Sequence, residues 1–211
     1  MALDLEEQEQ VDALKAWWKD HGKKVIVGVT VFVLSVAGWR GWEAYQSKQT
    51  GEAAALFDVL RKELATNDAK KIRDVAGQLI DKYPRTIYAT DAAMIAAKVN
   101  FESGDAKSAK VQYQWVIEHA KQPQSKDLGK LRLAVVLLDE KNYADALKQL
   151  EGAHDPAFAP LFNDLKGDVY SLQGKSKEAR SAYQAALDKL PKESPFKNFV
   201  QIKLDALGEQ G

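Results

Sequence analysis

The sequence contains no cysteine among its 211 residues. This absence excludes disulfide bridges, thiolate catalysis and zinc sites built on cysteine, and it excludes a lipoprotein anchor attached to an acylated cysteine. A chain without cysteine suits an oxidising compartment, although many cytosolic chains also lack it.

Histidine is scarce, and the short motifs of catalysis are missing. His21, His119 and His154 are the three histidines, and no two of them stand at the spacing of metal ligands. The glycine-rich loops that hold phosphates and the glycine-flanked nucleophilic serine are absent. The carboxylates alternate with lysines, which is typical of solvated helix faces. We therefore predict no enzymatic activity, no cofactor, no metal site and no small-molecule substrate.

The chain also lacks an excess of charge of one sign and any run typical of a β-strand. It carries 30 basic and 30 acidic residues, so it has none of the basic field that a nucleic acid requires. Short helical patterns alternate with turn residues, and no segment alternates with a period of two. The sequence predicts an all-α protein that binds no nucleic acid.

One apolar run organises the rest of the chain. Residues 25–39, VIVGVTVFVLSVAGW, hold no charge over fifteen residues. As a helix they cover about 22 Å of a hydrocarbon core roughly 30 Å thick, and snorkelling lysines and Arg40 extend the span to about Trp42. Trp17 and Trp18 lie before the run and Trp39 and Trp42 at its end, at the two levels where aromatic rings favour the interface. The predicted membrane anchor comprises Val25, Ile26, Val27, Val29, Val31, Phe32, Val33, Leu34, Trp39 and Trp42.

Two alternatives to a membrane anchor remain open from the sequence. A buried core helix is one of them, although core helices usually keep a polar stripe. A cleaved signal peptide is the other, since residues 25–34 have the length of its apolar region and residues 35–37 resemble a cleavage site. Six acidic residues within the first 24, and aromatic residues beyond Ala37, argue against cleavage.

Lysine and arginine predict the orientation of the span. Four lysines precede it, and Arg40 and Lys48 follow it, so the N-terminal side is expected in the cytoplasm. The predicted domains are a cytoplasmic segment at 1–22, a membrane helix with flanks at 23–45, and a periplasmic domain at 46–211. Residues 1–24 form either a docking segment for a cytosolic partner or a solvated tail. No strong breaker separates the span from Ala65, so one long helix is expected there.

The remaining helices repeat. Residues 160–191 match the tetratricopeptide pattern of small, aromatic and proline positions. With Ala179 as reference, the equivalent residues are Ile72, Ala109 and Ala146, at steps of 37, 37 and 33 residues. These steps are close to the 34 of a tetratricopeptide unit, so we predict an α-solenoid of paired helices in which residues 196–207 cap the open end. The predicted repeat-packing residues are Ala109, Tyr113, Ala146, Gly167, Tyr170, Ala179, Tyr183, Ala186 and Pro191.

The first helix of each pair would line a concave surface. Its candidate protein-binding residues are Phe57, Leu64, Met94, Lys98, Phe101, Leu131, Val135, Leu138, Asp164 and Asp168. Either this face is an open apolar strip that binds a partner segment, or a helix of the chain itself fills it.

The chain resembles the YfgM family of proteobacterial inner-membrane proteins, described as ancillary subunits of the SecYEG translocon. The resemblance is carried by an acidic start leading into EQVDALKAWWKDHGKK, a span that ends in GWRGW at residues 38–42, and the repeats that end near residue 207. It implies a single-pass protein of the inner membrane with a periplasmic C-terminal domain. It also implies partnership with the translocon and with the periplasmic chaperone PpiD, and a cytoplasmic role in envelope-stress signalling.

Two functions follow from these observations. The first is a non-enzymatic, membrane-tethered scaffold that links the translocon to periplasmic chaperones and assists the trafficking of secreted proteins. The second is an envelope-stress regulator that acts through its N-terminal segment on a cytosolic partner. A peptidoglycan or lipoprotein assembly factor is a more distant third.

Overall fold

A computed structural model of the protein describes residues 5–208. Residues 1–4 of the predicted cytoplasmic segment and 209–211 of the predicted periplasmic domain lie outside the described residues. The chain divides into two compact units, Met1–Gln49 and Thr50–Gly211. Every regular element between residues 5 and 208 is a helix, as the sequence predicts. The cytoplasmic location of residues 1–22 and the periplasmic location of residues 46–211 stay predictions.

The helices are short after the first. They are α1 (Leu5–Thr66), α2 (Ala69–Lys82), α3 (Ile87–Glu102), α4 (Ala106–His119), α5 (Pro123–Asp139), α6 (Tyr143–Glu151), α7 (Ala159–Leu172), α8 (Ser176–Lys189) and α9 (Pro195–Ala206). One turn of 3₁₀ helix, Pro156–Phe158, precedes α7. The long helix expected to continue to Ala65 is present, since α1 ends at Thr66.

The first unit contains residues 5–49 of α1. Within the described residues, α1 is the one helix long and apolar enough to cross a membrane, and its most apolar window is not buried. The two hydroxyl groups of the apolar run donate to the preceding helical turn, Thr30 to the Ile26 carbonyl and Ser35 to the Val31 carbonyl, both at 2.8 Å. Hydroxyl groups bonded in this way need no water, which hydrocarbon cannot supply.

The second unit is a stack in which each helix from α2 to α9 packs against its neighbours along the chain. Residues 50–66 of α1 share a buried apolar cluster with α2. Alternate helices also meet, α3 with α5 and α5 with α7, as they do in a solenoid of helix pairs. The pairs are residues 50–66 with α2, α3 with α4, α5 with α6, and α7 with α8. The small residue of each second helix is fully buried: Ala109, Ala146 and Ala179 have no exposed surface. Ile72 occupies the same place in α2 and is also buried.

The turn inside each pair has the same backbone geometry four times. Its first residue has a positive φ, at Asn67, Gly104, Lys141 and Gly174. The next residue caps the second helix: Asp68, Asp105 and Asn142 each accept a hydrogen bond from a backbone N–H of the first helical turn, whereas Lys175 makes no such bond. These turns recur at the same steps as the buried small residues. The repeat is therefore present in the backbone as well as in the side chains.

Three corrections concern the fine placement of predicted residues. Leu131 lies in the core rather than on the concave face. Asp164 is buried beneath α9 and does not face a partner. Pro191 is exposed beyond the end of α8, so it contributes no buried packing. Leu190 takes that role, because it packs against the buried residues of α8 and α9.

Candidate protein-binding surface and membrane segment

A groove lies between α3 and α5, the first helices of two successive pairs. Its cavity measures about 460 Å³. The lining residues are Met94, Ile95, Lys98, Phe101, Glu102, Tyr113, Leu128, Arg132, Val135 and Val136. Four of the predicted concave residues, Met94, Lys98, Phe101 and Val135, meet on its walls. At this place the apolar strip is open.

The groove is apolar inside and charged at its edge. Val135 is 37% exposed, and Met94 and Phe101 are half-buried against the core. Lys98 and Glu102 form an ion pair at 3.6 Å across one helical turn of α3. Burial raises the pKa of the Tyr113 hydroxyl, so this tyrosine stays neutral at the base of the groove. Such a surface fits an apolar side chain of another protein that enters between charged neighbours.

The concave face of α5 is rotated by about one residue from the predicted one. Sequence analysis places Leu131, Val135 and Leu138 on the binding face. In the structure Leu131 is buried in the core and Leu138 is half-buried against it, while Leu128 and Arg132 line the groove with Val135. Other helices surround α5 on nearly every side, so its residues are apolar all around the helix. The sequence therefore has no boundary between an apolar and a polar side from which the exposed face could be predicted. The polar side chain of Arg132, one helical turn before Val135, is the feature of the sequence that indicates the exposed face of α5.

At the last pair the concave face is occupied by the chain itself. Lys203 of α9 reaches the carboxylates of Asp164 and Asp168 on α7, at 2.9 and 2.8 Å. The Tyr183 hydroxyl donates to Asp168 at 2.8 Å, and the Lys203 ammonium lies 4.7 Å from the centre of the Phe199 ring. Burial raises the pKa of Asp164, and burial followed by the hydrogen bond to Asp168 raises the pKa of Tyr183. The concave face was expected either to be open to a partner or to be filled by a helix of the chain itself. At the last pair it is filled, by α9.

The predicted residues of the first pair lie farther along the stack. Phe57 packs against the Tyr88 ring with the ring centres 5.4 Å apart, and it is half-buried. Leu64 is 37% exposed near the end of α1. Neither residue lines the groove between α3 and α5.

Close helix approach in the last pair depends on Gly167. A Cβ atom at Gly167 would lie 2.3 Å from the nearest carbon of the Tyr183 ring. Tyr183 is buried and tied to Asp168, so its ring has little freedom to move. Tyr170 is half-buried beside the same cluster, and Ala186 is fully buried within it.

The candidate membrane segment of α1 is exposed along the predicted anchor residues, apart from the half-buried Val25. Trp39 is 75% exposed and Trp42 53%. Side chains so apolar and so open to the surroundings are stable in lipid and unfavourable in water.

Nothing among residues 5–208 forms a group of acidic and histidine side chains that could hold a metal ion. Each histidine stacks on an aromatic ring: His21 on Trp17, His119 on Trp115 and His154 on Phe162. In each case Nδ1 lies within hydrogen-bond distance of a backbone carbonyl. These contacts give the histidines a structural role.

Comparison with known proteins places the chain in a family. A family model described as a tetratricopeptide repeat-like domain matches residues 15–209. Among curated proteins, the ancillary SecYEG translocon subunit of Neisseria gonorrhoeae is 36% identical over 98% of this chain and 100% of its own length. The chain belongs to the ancillary SecYEG translocon subunit family.

More distant relatives carry the same name. The ancillary SecYEG translocon subunit of Haemophilus influenzae is 26% identical over 88% of this chain and 91% of its own length. That of Escherichia coli K12 is 25% identical over 95% of this chain and 96% of its own. Membership of the ancillary SecYEG translocon subunit family confirms the resemblance drawn from the start, the span and the repeats.

Proposed function

We propose that this protein is a membrane-tethered, non-enzymatic scaffold at the SecYEG translocon. Its relatives are named as ancillary subunits of that translocon and match the chain over nearly its whole length. The span in α1 confines the second unit to the membrane surface, where its effective concentration near a translocon is high. The single observation that carries the proposal is an exposed apolar helix in the same chain as a repeat-like domain with an open groove.

The finer proposal concerns compartment and partners. The lysines before the span orient residues 1–22 toward the cytoplasm and the repeat domain toward the periplasm. In the periplasm the groove between α3 and α5 binds a segment of a membrane-anchored chaperone such as PpiD, and it thereby links the translocon to the handling of secreted chains. The apolar walls and charged edge of the groove support this choice of a protein ligand.

Co-purification tests the scaffold. Full-length tagged protein extracted from native membranes in mild detergent should bring down SecYEG and the chaperone. Val135→Asp places a charge on the wall of the groove and should abolish recovery of the chaperone, because an unpaired carboxylate disfavours the apolar contact. Val59→Asp is the matched control, since Val59 is an exposed valine of α1 outside the groove, and it should leave recovery unchanged.

Two results would contradict the proposal. Absence of SecYEG from the wild-type preparation would rule out the scaffold at the translocon. Full recovery of the chaperone with Val135→Asp would move its binding site away from the groove.

A second candidate function rests on the start of α1. Val11 and Leu14 are 44% and 64% exposed there, beside an ion pair between Asp12 and Lys15 at 3.0 Å. We propose as the alternative that this segment binds a cytosolic regulator of the envelope-stress response. Deleting residues 2–14 should then abolish the regulatory effect and leave co-purification with the translocon intact.

A further inference from the structure

Among the described second helices of the pairs, α4 is the one with a large apolar side chain exposed on the convex side. In α4, the second helix of its pair, Val111 is 64% exposed and Trp115 is half-buried. Counting from the buried small residue of each repeat, the positions equivalent to Val111 are Asp74, Lys148 and Ser181, and those equivalent to Trp115 are Gln78, Gly152 and Ala185. The other repeats thus have polar or small residues at both places, and Gly152 lies directly after the end of α6. The apolar pair in α4 is a local departure from a solvated face.

These two side chains form one wall of a groove, which we call the convex groove. Its cavity measures about 490 Å³. Asp145 and Gln149 of α6 form the opposite wall, and Leu133 and Leu137 of α5 lie between the walls. The Trp115 ring is held in place by stacking on His119, with the ring centres 4.7 Å apart. A fixed tryptophan in a groove between two helices is the kind of anchor that partner helices use.

The charge of the convex groove is acidic. Its lysine, Lys110, is already paired with Glu140. Glu118 accepts a hydrogen bond from Gln114 at 2.7 Å, and Asp145 accepts one from Asn142 at 2.7 Å. Across the described part of the chain, neither Glu118 nor Asp145 has a lysine, arginine or histidine within ion-pair distance. Two carboxylates without cations therefore flank an apolar strip.

We propose that the convex groove is a docking surface for a basic amphipathic helix of a protein partner. Apolar side chains of that helix cover Val111 and Trp115, and its lysines or arginines meet Glu118 and Asp145. The charge complementarity selects a basic segment over an acidic one, because like charges at an interface are repelled. This surface lies outside the groove between α3 and α5, and its occupation does not depend on the proposed role at the translocon.

The absence of cysteine permits a site-specific test on the full-length chain in phosphatidylcholine nanodiscs. Gln114→Cys places a thiol at the convex groove. Gln184→Cys places one at the equivalent position of α8, and both glutamines bond a carboxylate four residues ahead. The probe is a peptide of about eighteen residues with leucines on one helical face, lysines on the other and one cysteine. With copper phenanthroline as the oxidant, disulfide formation with the peptide should be at least about five-fold greater at position 114 than at 184.

Substitutions in the wall of the convex groove distinguish a peptide that docks there from one that only partitions into the lipid near the protein. Adding Val111→Asp should lower the yield at position 114 to that at 184, whereas Val59→Asp should leave it unchanged. Both valines are exposed, so neither change disturbs the core. A peptide with glutamate in place of lysine should react no better at 114 than at 184. Three results would each overturn the proposal. They are equal yields of the lysine peptide at the two positions, an unchanged yield with Val111→Asp, and a yield of the glutamate peptide at position 114 as high as that of the lysine peptide.

Discussion

At the scale of single residues, Gly167 is the position where the last helix pair tolerates least change. A Cβ atom there would overlap the buried Tyr183 ring. The sequence predicts this close approach, since Gly167 and Ala179 are the small positions of the repeat. The hydrogen bond that fixes Tyr183 against Asp168 was not predictable, because it depends on side chains brought together by packing.

Gly167→Ala should destabilise the protein by ~1–3 kcal/mol, because overpacking a closed site costs more than the helix propensity gained. Gly77→Ala is the matched control. A Cβ atom at Gly77 meets nothing within 4 Å, so that change should stabilise α2 by up to ~1 kcal/mol. Thermal unfolding of the full-length protein in detergent, followed by circular dichroism, measures both. Equal effects of the two changes would contradict the packing described at Gly167.

Lys203 provides the second test at this scale. Lys203→Met should destabilise the protein by about 2–3 kcal/mol, because it leaves the carboxylates of Asp164 and Asp168 together without a cation. The loss is smaller than for a fully buried pair, since the Lys203 side chain is 22% exposed. Lys197→Met, on the same helix but without an ion pair among the described residues, should change stability little. Chemical unfolding of both variants measures the difference, and equal stabilities would show that the cluster does not hold α9.

At the scale of elements, the turns within the pairs explain why the repeats share one shape. Each turn has a residue with positive φ before the second helix. In three of the four turns the next residue accepts a hydrogen bond from a backbone N–H group that the helix leaves free. The sequence predicts these breaks from pairs such as Gly104-Asp105. It does not predict Lys141 in the left-handed region, because lysine carries no preference for that conformation.

The cap at Asp105 should make stability depend on acid pH. The backbone N–H of Ser108, followed by its hydroxyl, lowers the pKa of the Asp105 carboxyl. A carboxyl whose pKa is lowered in the folded state stabilises the fold above its unfolded pKa, and this stabilisation is lost as the pH falls through the folded value. Asp105→Ala should therefore be less stable than wild type at neutral pH, and the difference should shrink below about pH 4.

Unfolding of wild type, Asp105→Ala and Asp105→Asn across this pH range checks the prediction. Asparagine also caps helices, but its side chain does not titrate. The free energy of unfolding of Asp105→Asn should therefore fall less than that of wild type as the pH is lowered. A gap between wild type and Asp105→Ala that widens on acidification would contradict the assignment.

The orientation of α5 marks the limit of sequence reasoning at this scale. Its apolar character predicts burial correctly, but a helix with neighbours on nearly every side shows no amphipathic stripe. The sequence therefore predicts Leu131 on the open face of α5, whereas the structure places Leu131 in the core and Arg132 in the groove. The filling of the last concave position by Lys203 depends on a contact between residues far apart in sequence, which periodicity cannot reveal.

At the scale of the whole molecule, composition and order along the chain were enough for the family and the fold class. An apolar run with aromatic flanks predicts a membrane span, and spaced small residues predict paired helices. The comparisons confirm the family, and α1 has the length and apolarity of a spanning helix. The orientation in the membrane and the partners of the grooves are proposals, because they depend on molecules outside this chain.

Photo-crosslinking in native membranes tests the central claim most directly. The full-length protein would carry benzoylphenylalanine at position 135, inside the groove between α3 and α5, or at position 193 as an exposed control outside it. Our account predicts that irradiation at position 135 yields an adduct with a protein of the translocon assembly, identified by mass spectrometry, and that position 193 yields little of it. The same adducts at both positions, or none with any protein of that assembly, would contradict it.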